Sequence, residues 1–103
     1  MKLYYFDVYA KAEPIRMLFY KAGIQYEDVR VAFKDWPGLK SSNFSPSGQL
    51  PVLELDDGQK LTQVYAIMRL YATQHKLAPE DPMLIYHGDA ALLAYDSDFW
   101  WGK

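Results

Sequence analysis

Pro51 stands at the head of an apolar run, Leu50-Pro51-Val52-Leu53-Glu54-Leu55, and its missing N–H limits where that run can lie in a sheet. A proline cannot donate to a ladder, so it either lies at an edge or marks a turn with a cis bond. The run reads as a strand. Asp56-Asp57-Gly58 after it is a strong hairpin signal leading into a partner strand over 59–62.

Upstream, Lys2-Leu3-Tyr4-Tyr5-Phe6 is aromatic and apolar, stops at Asp7, and reads as a buried strand. Glu13-Pro14 opens a helix, with Pro14 early enough that its missing N–H costs nothing. Ile15, Leu18, Phe19 and Ala22 follow the helical period, and Gly23 supplies the C-terminal cap. Residues 25–32 read as a second strand, joined to the first by a right-handed crossover. From Phe33 to Gly48 the chain is rich in Pro, Gly, Ser and Asn, a loop with one helical turn around Trp36 to Lys40.

Residues 63–74 carry Val64, Ile67, Met68, Leu70 and Tyr71, a helix that is apolar on more than one side. Leu77 to Pro79 reads as a linker. Asp81 then caps a last helix that Pro82 begins. In it Met83, Tyr86, Ala90, Leu93 and Ser97 define one face, and Phe99-Trp100-Trp101 crowd its end. The order is βαβ, loop, ββα, linker, α. A mixed sheet of that order is the thioredoxin-like α/β arrangement, in which a proline begins the third strand.

With 103 residues the chain has room for one modest core. Half of its residues are apolar and 17% aromatic, which is not the composition of a disordered segment. Lys and Arg are scattered and the net charge is −2, against a nucleic-acid binder. The absence of cysteine excludes a disulfide scaffold, a zinc-thiolate site and a CxxC redox protein. His75 and His87 have no acidic cluster at ligand spacing, so no metal is expected. No apolar run reaches the ~18–20 residues that span a bilayer, and the N-terminus lacks a signal peptide's apolar core. A soluble, cytoplasmic protein is the expectation.

A family resemblance rests on Lys2–Phe6 followed by Ala12-Glu13-Pro14-Ile15-Arg16, Tyr26-Glu27-Asp28, Asp35-Trp36-Pro37, Gly48-Gln49-Leu50-Pro51-Val52-Leu53-Glu54 and Gln63-Val64-Tyr65-Ala66-Ile67. In this order and spacing they resemble the N-terminal domain of cytosolic glutathione transferases of the tyrosine type, closest to the sigma class. The resemblance implies a thioredoxin-like domain over 1–76. It implies a linker and the first helix of an all-helical second domain over 77–103, which that helix leaves incomplete.

It also implies site residues. Tyr5 would be the catalytic tyrosine, donating its O–H to the glutathione sulfur. A thiol near the free-cysteine value of ~8.5 must ionise to attack an electrophile, and a shift of ~2 units is about 2.7 kcal/mol of preference for the thiolate. Strand alternation sends Tyr4 and Tyr5 to opposite faces, so only one can serve. Leu50 and Pro51 would present main chain to the extended tripeptide, and Gln49 would hold its γ-glutamyl end. Gln63 and Val64 would offer that end's carboxylate the N–H groups of a helix start. Trp36 and Lys40, four apart, would take the glycyl carboxylate, and Lys11 would add charge beside the thiol.

Two positions depart from the family pattern. Val64 stands where a serine is usual and lacks its hydroxyl, a loss of about 1.5–3 kcal/mol for one charge-assisted bond. Tyr9-Ala10-Lys11-Ala12-Glu13 replaces Arg-Gly-Arg-Ala-Glu, so a glycine is lost and Lys11 gives charge without an arginine's fork. The expected function is therefore glutathione transfer, with glutathione as co-substrate and no cofactor. The alternative is a non-catalytic structural or interaction subunit. The expected partner is a second copy in a homodimer, or another protein covering the aromatic C-terminal end.

Overall fold

The computed structural model describes residues 1–100, with side chains described through Ala94. Its elements are β1 (Lys2–Phe6), α1 (Glu13–Ala22), β2 (Glu27–Val31), a 3-10 turn (Phe33–Asp35), α2 (Trp36–Ser41), β3 (Val52–Glu54), β4 (Lys60–Leu61), α3 (Val64–Gln74) and α4 (Pro82–Trp100). The strands lie in the order β2-β1-β3-β4. β1 runs parallel to β2, with Lys2 opposite Glu27 and Phe6 opposite Val31. It runs antiparallel to β3, with Leu3 opposite Leu53. This is the mixed sheet expected of βαβ joined to ββα.

Pro51 precedes β3, which lies between β1 and β4, and the Leu50–Pro51 peptide is cis. The edge position is therefore excluded and the cis turn is the one adopted. The strands are shorter than the sequence reading at three places. β2 starts at Glu27 rather than residue 25, β3 covers Val52–Glu54 only, and β4 is two residues long. The hairpin turn stops the β3–β4 ladder early. Gly58 N–H donates to Leu55 C=O at 2.9 Å, and Gly58 has φ +90°, a backbone state open to glycine.

Local chemistry explains the helix ends. Gly23 has φ +70°, and Ile24 N–H reaches back to Phe19 C=O at 2.9 Å, closing α1 with its last carbonyls satisfied. Asp81 caps α4 as expected: its Oδ2 accepts from Met83 N–H and Leu84 N–H, both at 3.1 Å. Along α4 the packing face differs from expectation. Met83, Tyr86, Ala90 and Leu93 point outward, whereas Ile85, Asp89 and Leu92 are half-buried. The reason is electrostatic as well as apolar, because Asp89 pairs with Arg69 of α3 and fixes that side inward. The side chains of Ser97, Phe99, Trp100 and Trp101 lie outside the described residues.

One core joins the layers. Leu3 and Leu53 from the sheet meet Ile15 and Phe19 of α1 and Ile67 and Tyr71 of α3. Phe19 holds edge-on contacts to the rings of Tyr26 and Tyr71, both at 5.1 Å. Among the described residues no helix is long and apolar enough to cross a membrane.

Three phenols give the fold a pH limit. Burial pushes Tyr4, Tyr26 and Tyr71 above the ordinary tyrosine value of 10.0, and for Tyr4 the Glu54 carboxylate, which accepts its O–H at 3.3 Å, adds to the effect. The folded chain then holds these protons more tightly than the unfolded chain. Stability from this source is complete below about pH 10 and is lost as pH rises through the higher folded values. Urea unfolding followed by circular dichroism should show this contribution unchanged up to about pH 10 and declining above it, and a Tyr4→Phe, Tyr26→Phe, Tyr71→Phe chain with the same alkaline decline would contradict this.

Candidate functional site

The loop from Asn43 to Leu50 is organised by one buried hydroxyl. Ser45 exposes 6% of its surface, and its Oγ donates to Gln49 C=O at 2.6 Å while accepting from Gln49 N–H at 3.2 Å. That clamp fixes both backbone groups of Gln49 and delivers Leu50 and Pro51 to the sheet's end. Leu50 is half-buried, and among the described residues its N–H and C=O make no backbone hydrogen bond. Such groups need water or a ligand.

Opposite this segment, α3 begins at Val64, and Gln63 before it has φ +74° and ψ +104°. A non-glycine residue held there costs roughly 1–3 kcal/mol, and such outliers gather at ligand clamps. The amides of the first α3 turn carry partial positive charge and lack helical partners.

These two segments enclose a cavity of about 80 Å³. Its lining brings together six of the nine residues singled out in the sequence: Lys11, Gln49, Leu50, Pro51, Gln63 and Val64. Ser47 and Tyr65, which the sequence reading did not select, complete it. The lining holds one cation and no carboxylate. Its size suits a charged head group rather than an apolar body, since drug-sized pockets measure roughly 300–1,000 Å³.

Tyr5 is not part of that lining. Its ring is interior, 7% exposed, but its hydroxyl comes out at the loop that carries Lys11, where it accepts from Lys11 N–H at 3.3 Å. An oxygen that accepts from an amide still has its own proton to donate. Tyr4 takes the other face, against Phe44 and Glu54, as alternation requires. Trp36 and Lys40 share the short helix α2 away from the cavity lining, and Trp36 sets its edge against Phe6 at 5.9 Å.

Behind Tyr5 lies a group that helical periodicity did not single out. Arg16 is 7% exposed, its guanidinium carbon 5.9 Å from the centre of the Tyr5 ring. Its Nη1 donates to Val8 C=O at 2.9 Å and to Glu13 at 3.2 Å, and its Nε faces Asp28 at 3.4 Å. One side chain thus ties β1's exit loop to α1 and β2. A second groove, about 240 Å³, lies between α3 and α4 beside Met68, Ala72, Leu77, Ile85 and Leu92. It is larger but lacks a converging set of polar groups. Its one charged pair, Arg69 with Asp89, is already joined.

Comparison with known proteins identifies the family. The family model described as "Glutathione S-transferase, N-terminal domain" matches residues 1–73. Glutathione S-transferase 1 of Ascaris suum is 45% identical over 82 residues, 80% of this chain and 38% of that protein. Human hematopoietic prostaglandin D synthase is 41% identical over 95 residues, 92% of this chain and 46% of that protein. The crystal structure of a nematode-specific GST of C. elegans superposes with a TM-score of 0.83 at 40% identity, covering 91% of this chain and 45% of that one. The chain spans less than half the length of these relatives. Matched by the family model over residues 1–73 and by relatives above 40% identity, the chain belongs to the glutathione S-transferase family, whose N-terminal thioredoxin-like domain it carries.

Proposed function

We propose that this chain is the thiol-binding part of a glutathione transferase. The observation that carries the proposal is the meeting of Gln49-Leu50-Pro51, the α3 N-terminus and Lys11 around one small cavity, next to the Tyr5 hydroxyl. Residues 1–76 form the glutathione domain in this reading, and the residues after 76 are the linker and first helix of a helical second domain.

Glutathione lies extended along Leu50, pairing with its free N–H and C=O as an added strand. Its γ-glutamyl carboxylate meets the Gln63 and Val64 end of α3, where backbone N–H groups and the helix dipole favour an anion. Gln49 holds the same end of the ligand. Trp36 and Lys40 reach its glycyl carboxylate, and Lys11 adds positive charge beside the sulfur. Tyr5 donates its O–H to that sulfur and favours the thiolate. The thiol proton passes to solvent and the thiolate attacks an electrophilic carbon: a C–S bond forms, the leaving group departs with its electron pair, and Tyr5 keeps its proton. No cofactor enters these steps. Family membership also supports pairing of two copies and a cytoplasmic setting. A purely structural role is not favoured, since the relatives are glutathione S-transferases.

Calorimetric titration with glutathione tests the reading. One glutathione should bind per chain, and S-methylglutathione should bind as well, because the contacts to its two carboxylates and its main chain are unchanged. Absence of heat with both ligands would overturn it.

A further inference from the structure

We propose that Ser47 is a ligand-binding residue, giving the γ-glutamyl carboxylate the side-chain hydroxyl donor that Val64 does not supply. The assignment rests on the glutathione reading above and deepens it. At the start of α3, Val64 offers its backbone amide and an apolar side chain, between the polar side chains of Gln63 and Tyr65. Across the cavity, Ser47 supplies a hydroxyl from the opposite wall.

The neighbouring bonds show why that hydroxyl is available. Ser45 Oγ has one proton, and the 2.6 Å contact to Gln49 C=O takes it. In the 3.3 Å contact between the two hydroxyls, Ser47 is therefore the donor. That distance is long for an O–H···O bond, so Ser47 is held weakly while Ser45 is held firmly. A carboxylate in the cavity offers Ser47 a shorter, charge-assisted bond in exchange. Ser45 thus acts as the support, and Ser47 as the contact.

The experiment is a double-variant cycle, Ser47→Ala, Val64→Ser and both together, on the full chain with glutathione as the calorimetric probe. Ser47→Ala should weaken binding about tenfold, as expected for one hydrogen bond to a charged group. Val64→Ser should recover most of that loss in the Ser47→Ala background and change binding less in the parent chain. With γ-aminobutyryl-cysteinyl-glycine, which lacks only the α-carboxylate, Ser47→Ala should have no effect. Glutathione binding that Ser47→Ala leaves within twofold overturns the assignment and spares the glutathione reading. So does an equal loss with both peptides. A parent chain that binds no glutathione overturns the two together.

Discussion

Replacing Tyr5 with Phe should raise the pKa of the bound glutathione thiol by about 2 units, from about 6.5 to about 8.5, and slow thiolate attack at pH 7 about 25-fold. The argument is local. The substitution removes one oxygen from a ring that is otherwise interior, so the fold keeps its packing and loses a 3.3 Å contact from Lys11 N–H. The cost to stability should stay under about 1 kcal/mol. The sulfur, by contrast, loses the donor that favours its anion. Ultraviolet absorbance of the bound thiolate across pH reads the effect directly, and turnover of a chloro-nitrobenzene reads its consequence. Tyr4→Phe is the matching control. Tyr4 lies on the other face of the sheet, bonded to Glu54, and its loss should leave the thiol where it was. An unchanged thiol pKa in Tyr5→Phe, or an equal shift in both variants, would remove Tyr5 from the chemistry.

The largest loss of stability should come from Phe19→Ala, about 3–5 kcal/mol. Phe19 is fully buried, and its ring touches Tyr26 and Tyr71 edge-on, so truncation leaves a cavity and ends two aromatic contacts. For a chain of this size, total stability is about 5–15 kcal/mol. The variant should therefore unfold at a much lower urea concentration with an unchanged slope. Tyr20 is next to it on α1 but 90% exposed, and Tyr20→Ala should stay within about 0.5 kcal/mol. If Phe19→Ala cost less than about 1 kcal/mol, α1 would not be anchored through this ring.

Features set by a few adjacent residues were legible before any coordinates. Gly23 closing α1, Asp81 capping α4 and the Asp56-Asp57-Gly58 turn each follow from the conformational habits of one or two side chains. The opposite placement of Tyr4 and Tyr5 followed from the two-residue period of a strand. Features that depend on several segments were not legible. Helical periodicity along α1 picks out Ile15, Leu18, Phe19 and Ala22 and passes over Arg16. Arg16 is buried because Val8 of the loop after β1 and Asp28 of β2 join Glu13 of its own helix around the guanidinium. The inward face of α4 was misread because that helix is apolar on several sides, and the choice fell to the pairing of Asp89 with Arg69. Ser47 sits in a stretch rich in Ser and Pro that looks solvated. Only the clamp at Ser45 shows that this loop is held in a fixed shape. Nor does glutamine signal the positive φ found at Gln63, which tertiary contacts must impose.

The sheet order also has a consequence for biosynthesis. β1 is synthesised before the rest of the sheet, yet it becomes an inner strand whose antiparallel neighbour, β3, begins at residue 52. The rest of its hydrophobic cover, Ile67 and Tyr71, comes later still. At roughly 5–20 residues per second, the sticky segment Leu3-Tyr4-Tyr5-Phe6 waits seconds with one edge unpaired. Translation speed between β1 and Tyr71, and chaperones that shield nascent aromatic segments, should therefore govern how much of this protein reaches its native state.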